Sequence, residues 1–539
     1  MRFPRWAALR VLCAAWLALM LHVPTASAQF FLPALRTLDL SDEQLSRSAR
    51  LVGMGGLTLV VPDHNTTYSL WDFARIPVAL TADDTTSTVD VDPGTDALSS
   101  VRTIDNSRER QNLAARRSGS EVEAVYRSRE SGGGFGFVGD VSSLRYDQPV
   151  ATESELRQSV VRPTGTAILT GIVPRFFHRR LQWGAHLRFL NETVDRQFRE
   201  IVSNAAGEYI DLGGGELPPP GEFVITAVDV NTTAFGVSTS YALGKSTHIA
   251  LGIERENDHF KGTNDLQRSS WETDETRPAW NGQAAIVGVI GKDFEWGVNG
   301  LGRVSNSEVD WRFTASAGVG ADPLTGRGNM LTREEKSSEL QARARWTKGH
   351  SIFAGEFHTA ASKVFTDPPH ANDATSLNRF INQAYNRPNA DTLSLPDSII
   401  HGDSRRYAWG WGGGLSHQFT RTAVGAEFHW SRDLGYTEQQ GQGPRRIAWD
   451  VRTGLEQPLG HVLKGRLGYQ YRSVDEDDYT AGNEYIANAV SLGLGYAPDG
   501  ATWVLESGYR IEFRSQDYND PGDERQSRQN LGIEILWKF

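Results

Sequence analysis

From about residue 120 to its end, the chain repeats one pattern: segments of roughly ten residues in which every second side chain is apolar, many closing on an aromatic. In 502–512, Trp503, Leu505, Tyr509 and Ile511 fall on one face, and Glu506, Arg510 and Glu512 on the other. In 447–455, Ile447, Trp449, Val451 and Leu455 oppose Asp450 and Arg452; in 463–471, Leu467, Tyr469 and Tyr471 oppose Lys464, Arg466 and Gln470. Upstream, Val424, Phe428 and Trp430 oppose Glu427, Phe353 and Phe357 oppose Glu356, Ile249, Leu251 and Ile253 oppose Glu254, and Trp183, Leu187 and Phe189 oppose Arg188. A helical period would mix these faces, whereas an extended strand keeps them apart. One face suits lipid and the other water. The pattern therefore predicts an all-β chain folded as a transmembrane, antiparallel outer-membrane β-barrel. The last strand carries it best: Leu531, Ile533, Ile535, Trp537 and Phe539 alternate to the C-terminal residue, an ending similar to the signal read by the bacterial barrel-assembly machinery.

The links between segments alternate in length. Short ones, rich in Gly and Pro, fall at 174–180, 244–247, 291–293, 348–349, 458–460 and 498–500. Long ones are expected at 146–162, 203–221, 261–278, 319–334, 366–404, 439–443, 475–482 and 516–527. Bacterial barrels have short periplasmic turns and long extracellular loops, which sets the orientation. About 17 strand candidates follow Val122; with both termini periplasmic the number must be even, so one strand is hidden before Ser118 and about 18 strands are expected, 16 being the next choice.

The first 28 residues differ from the rest. Arg2 and Arg5, the apolar run 11–21 and Ala26-Ser27-Ala28 read as a cleaved export signal, since a run of about 11 residues is too short for a spanning helix of about 20. This gives the expected organisation: signal peptide 1–28, an N-terminal segment 29–118 holding a hatch or plug and the first strand, and a barrel over 119–539. The expected location is the cell outer membrane, among outer-membrane lipid and lipopolysaccharide. The single cysteine, Cys13, lies in the signal and excludes disulfide frameworks, thiolate metal sites and covalently held haem. No cofactor is expected. The whole chain has formal charge −11, and without the signal 52 basic residues face 66 acidic ones, so nucleic acid is excluded as a partner.

One phrase in the N-terminal segment stands out: Ala49-Arg50-Leu51-Val52-Gly53-Met54-Gly55-Gly56, then Pro62-Asp63, then Trp71-Asp72-Phe73-Ala74-Arg75-Ile76-Pro77. It resembles the N-terminal pattern of the long-chain fatty-acid transporter (FadL-like) superfamily, with Gly53, Met54, Gly55, Gly56, Asp63 and Pro77 on matching positions and Ile76 where the pattern has Asn. The resemblance covers roughly a tenth of the chain. It implies an N-terminal hatch in the lumen, and either passage of hydrophobic compounds or, in a secretion-associated branch, retention of protein partners. Independently of any family, Gly55-Gly56 permits positive φ and close backbone packing against a barrel wall.

The expected lumen lining carries both signs of charge: Arg188, Glu254, Asp310, Arg312, Arg343, Arg345, Glu356, Glu427, Asp450, Arg452, Arg466, Glu506, Arg510 and Glu512. Such groups either line a water-filled pore or pair across a filled interior. No Gly-x-Ser-x-Gly elbow or His-Glu-x-x-His occurs, so no enzyme is expected. The acidic run 475–478 reads as a solvated loop tip rather than a cation site. Three classes follow: first a channel for passive uptake or export of small molecules, hydrophobic compounds being the version the resemblance implies; then a scaffold barrel holding a protein partner through its lumen or long loops, including a sheath for an electron-transfer protein; and third an outer-membrane enzyme.

Overall fold

A computed structural model describes residues 49–61, 88–103, 110–127, 134–148, 159–173, 181–198, 202–203, 209–210, 224–244, 246–266, 269–315, 324–367, 404–437, 441–478, 481–518 and 524–538. A five-residue helix, α1 (Ala49–Gly53), comes first. Strands β1 (Thr88–Thr103), β2 (Arg110–Arg127), β3 (Gly134–Gln148), β4 (Ser159–Val173) and β5 (Leu181–Phe198) follow. A two-residue ladder, β6 (Val202–Ser203) with β7 (Tyr209–Ile210), stands apart. Then come β8 (Val224–Ala242), β9 (Thr247–Leu266), β10 (Ser269–Ile290), β11 (Phe294–Ala315), β12 (Leu324–Lys348) and β13 (Ser351–Asp367). The chain closes with β14 (Ser404–Gln418), β15 (Ala423–Thr437), β16 (Gly441–Pro458), β17 (Leu463–Asp478), β18 (Ala481–Tyr496), β19 (Trp503–Tyr518) and β20 (Glu524–Lys538).

Apart from β6 and β7, the strands form one 18-stranded sheet in which every sequential pair is antiparallel. Strand β1 pairs with β2 on one edge and with β20 on the other, Val91 lying opposite both Val122 and Ile535, so the sheet returns on itself. The chain is an outer-membrane β-barrel. Alternation along each strand builds its two surfaces. On the outer face Phe235, Leu251, Trp411, Leu467, Leu492 and Phe513 are exposed as lipid would require, while on the inner face Glu256, Glu427, Arg466 and Glu512 are buried.

Short turns join the strands at one end, with Gly291, Gly349 and Gly500 at φ +69°, +60° and +74°. The other end departs from the sequence expectation in several places; at 475–482, expected as a long link, β17 runs to Asp478 and β18 starts at Ala481. Residues 261–278, expected as a long loop, are mostly strand, because β9 runs to Leu266 and β10 resumes at Ser269. Likewise 319–334 is largely β12, a strand of 25 residues. A strand needs only about ten residues to cross hydrocarbon, so these hairpins continue well past it, and beyond the lipid their outward faces turn polar and read as loop. The strand expected before Ser118 is β1, which starts at Thr88, and the first half of β2 also precedes residue 119. Pro93 and Gly94 interrupt the alternation of β1 and conceal it. The expected signal peptide 1–28, and Asp63, Pro77 and Phe539, lie outside the described residues.

Candidate functional site: a wall-docked segment and a charged interior

Residues 49–61 run along the inner wall, and backbone meets backbone. Glycines on the inner faces of neighbouring strands lie opposite one another in register: Gly425 with Gly454, Gly454 with Gly468, Gly493 with Gly508, and Gly508 with Gly532. The segment fits against this bare strip. A Cβ on Gly468 would sit 2.0 Å from the Gly55 nitrogen, one on Gly454 2.4 Å from the Met54 carbonyl oxygen, and one on Gly508 2.3 Å from the Ala49 carbonyl oxygen. Gly55 and Gly56, both left-handed at φ +76° and +78°, turn the segment after α1 so that it follows the wall. Leu51, Met54, Leu57, Leu59, Val60 and Val61 form a buried apolar cluster that also touches Ala354 on β13.

Wall side chains then satisfy the segment's backbone. The Glu427 carboxylate accepts from the N–H groups of Thr58 at 3.0 Å, Leu59 at 2.6 Å and Val60 at 2.9 Å. Glu534 accepts from the Ala49 N–H at 3.0 Å. Arg452, held by Asp450 at 2.8 Å, donates to the Gly56 carbonyl at 2.8 Å, and the Ser416 hydroxyl donates to the Val60 carbonyl at 2.8 Å. Arg50 donates to Glu456 at 3.1 Å, and the same carboxylate accepts from Arg466 at 2.7 Å. Arg466 also donates to Glu506 at 2.9 Å. Behind Glu427, His429 bridges to Glu356, which accepts from Arg343 at 3.1 Å. Each carboxylate facing the segment therefore carries partners, which is what makes its burial tolerable.

A second network lines the wall from β5 to β12. Glu254 contacts His186 at 2.6 Å, Arg188 at 3.1 Å and Asn281 at 2.8 Å. Glu256 joins Arg188 to Arg303, and Arg303 continues to Asp258 at 2.7 Å. One hairpin on, Glu275 accepts from Ser307 at 2.5 Å, Arg277 at 3.1 Å and Arg333 at 3.3 Å. Nearer the turns Arg345 donates to Glu295 at 3.0 Å. Signs alternate from strand to strand, so the inner surface is polar and locally neutral.

Twelve of the residues expected in the lumen lie on this inner face. Asp310 and Arg312 do not, which corrects the expectation for both. The register places Asp310 opposite Asp274 and Arg312 opposite Glu272, on the outward side, while the neighbouring Val309 faces inward opposite Glu275. There Arg312 meets Glu272 at 3.5 Å. Their strand outlasts the lipid, so an outward charge costs nothing at that height. Arg510 and Glu512 pair with each other on the inner face of β19. The acidic run 475–478 is the end of β17 rather than a loop tip, with Asp475 turned outward to Arg445 at 3.4 Å. Leu531, Ile533, Ile535 and Trp537 all face outward on β20. His429 falls on the polar face that the alternation gives it beside Glu427, but sequence reasoning missed the glycine strip and the roles of Ser416, Glu456 and Glu534. Their one local signal is their place at inward positions of the alternation.

No protein-family model matches the chain, and no curated protein matches it in sequence. Solved barrels do resemble it in fold. The unliganded ferric citrate transporter FecA superposes with a TM-score of 0.41 at 8% identity, over 83% of this chain and 78% of that one. A Pseudomonas aeruginosa FadL homologue gives 0.36 at 10% identity over 91% and 98%, and the Pseudomonas putida toluene transporter TodX 0.37 at 11% over 90% and 96%. The likeness is one of fold alone.

Proposed function

We propose that the protein is a passive outer-membrane channel for small molecules, narrowed on one side by residues 49–61. The observation that carries this reading is the one-sided docking of the segment: among the described residues its contacts fall on β13 to β20, while the inner face of β5 to β12 bears its own paired charges. Barrels of 16 to 18 strands are wide enough to leave an aqueous bore that wall side chains alone do not fill. A bore lined by Glu, Asp, Arg and Asn favours water-soluble solutes, because an oily cargo would gain nothing from this wall and would have to pass groups that prefer water.

The segment acts as a fixed part of the wall rather than a door. Lifting it would strip Glu427 of three backbone donors and break the bonds of Glu534 to the Ala49 N–H and of Arg452 to the Gly56 carbonyl, a cost on the order of several kcal/mol. Solute flux into proteoliposomes tests this, using neutral sugars and amino acids of graded size. Small polar solutes should enter at rates falling with size. The Ala49→Cys/Gly532→Cys pair, whose Cβ positions lie 3.8 Å apart and so within disulfide range, should conduct solute equally when oxidised and when reduced. Loss of flux on oxidation would turn the segment into a moving hatch, and absence of flux from the unmodified chain would refute the channel.

A further inference from the structure

The short-turn rim of the barrel carries a charge pattern that the channel does not use. Lys292 lies in the β10–β11 turn, Lys348 ends β12 just before Gly349, and Arg421 lies in the β14–β15 turn. These are three successive turns of the rim, and all three residues are exposed. Among the described residues none of the three is in an ion pair. The nearby inward acids are engaged elsewhere, Glu295 by Arg345 and Glu456 by Arg50 and Arg466, and within the three turns Asp293 is the one acid against three cations. A chain of formal charge −11 thus has a stretch of rim of the opposite sign. Backbone bonds hold that stretch rigid: the Thr347 N–H donates to the Asp293 carbonyl at 2.7 Å and the Gln418 N–H to the His350 carbonyl at 2.8 Å, tying each turn to the strand that follows.

The apolar outer face begins directly above these cations. Ile290 precedes the first turn, Trp346 and Phe353 flank the second, and Leu415 and Phe419 lead into the third, all exposed. The Lys348 ammonium stands 5.3 Å from the centre of the Trp346 ring, which faces outward beside the inward Arg345, so this cation lies along the outer wall rather than in the bore. The ring is neutral and leaves the charge to be balanced by something else. This is the level at which hydrocarbon gives way to headgroups. Spacing then decides between partners. Successive turns are two strands apart, about 10 Å at about 4.8 Å per strand. One phosphate cannot bridge cations so far apart, because a charge-assisted contact spans only about 2.8 Å. A leaflet of anionic lipids offers each cation its own headgroup and continues upward as acyl chains over the apolar residues.

We propose that Lys292, Lys348 and Arg421 form a docking surface for anionic phospholipid in the leaflet on the short-turn side, which in a bacterial barrel is the periplasmic one. Each cation meets the phosphate of one lipid, whose acyl chains lie over Ile290, Trp346 and Phe419. The surface is outside the bore, so it stands or falls separately from the channel.

Native mass spectrometry of the intact, detergent-folded chain tests the assignment, with phosphatidylglycerol as probe, phosphatidylcholine of the same acyl chains as the neutral comparison and inorganic phosphate as competitor. Phosphatidylglycerol should be retained in preference to phosphatidylcholine. Its affinity should fall about fivefold for Arg421→Gln and about a hundredfold for Lys292→Gln/Lys348→Gln/Arg421→Gln, the usual worth of one and of three cations at an anionic surface. Should the triple variant lose its heat-modifiable, folded migration, Arg421→Gln alone gives the same reading to its smaller extent. Equal retention of the two lipids overturns the proposal and leaves the cations to a soluble acidic partner. Unaltered retention of phosphatidylglycerol by a folded variant overturns it as well. So does displacement of the lipid by inorganic phosphate at equal concentration, which would make the cations separate sites for free anions.

Discussion

Glycine and glutamate divide the work of holding residues 49–61 to the wall. The glycines remove side chains so that two backbones approach, and Glu427 supplies acceptors where the segment leaves its own N–H groups unpaired. Gly468→Ala inserts a methyl group 2.0 Å from the Gly55 nitrogen, and Glu427→Ala removes three charge-assisted bonds. Both variants should keep a folded barrel yet release the segment, read as hydrogen exchange over 49–61 faster by at least about a hundredfold, equivalent to roughly 3 kcal/mol of lost local stability. Unchanged protection would show that the apolar cluster of Leu51, Met54 and Leu57 holds the segment unaided. Part of this site was legible in the sequence. Gly55-Gly56 announces a tight turn at a wall, because positive φ is a local property. The partner glycines are not legible, since Gly454, Gly468 and Gly508 become a strip only through strand register, and register between strands is set by the closed sheet.

Among the elements, the strands were readable wherever lipid imposes its alternation and unreadable where it does not. Strands β16, β17, β19 and β20 follow their expected faces, whereas the far halves of β9 to β12 look like loops because their outward positions there turn polar. Asp310 and Arg312 were misplaced because the usual sense of the alternation inverts there: the charged positions 308, 310 and 312 lie outward, and apolar Val309 lies inward opposite Glu275. The side chain of Arg312 is two-thirds exposed and, some 18 residues from the turn end of β11, stands roughly 45 Å above the turns. Arg312→Cys should therefore be labelled by a membrane-impermeant maleimide on intact cells, above the level of the unmodified chain, whose one cysteine is Cys13. Val490→Cys, outward on β18 within the apolar band, should stay unlabelled until the membrane is dissolved. Labelling of Arg312→Cys only after the outer membrane is permeabilised would reverse the assignment of the two ends, and labelling of Val490→Cys on intact cells would contradict the apolar band.

At the scale of the whole molecule, the closure of β1 on β20 follows from one requirement, that a chain in lipid must satisfy every backbone group without an edge. Antiparallel closure with both termini on one side makes the strand number even, and the cost of charge in hydrocarbon turns the charges inward. These constraints are why class and strand number could be read from alternation and link length alone. What fills the lumen could not, because the segment's contacts join residues several hundred positions apart. The central claim is a lumen narrowed but left open by a segment fixed to one side. Single-channel conductance in a planar bilayer tests it most directly, comparing the intact chain with one lacking only residues 49–61, which spares β1 and β2. Steady openings from the intact chain, and larger steady openings after the deletion, are expected. A silent intact chain beside a conducting deletion would contradict the open channel and make the segment a closed plug.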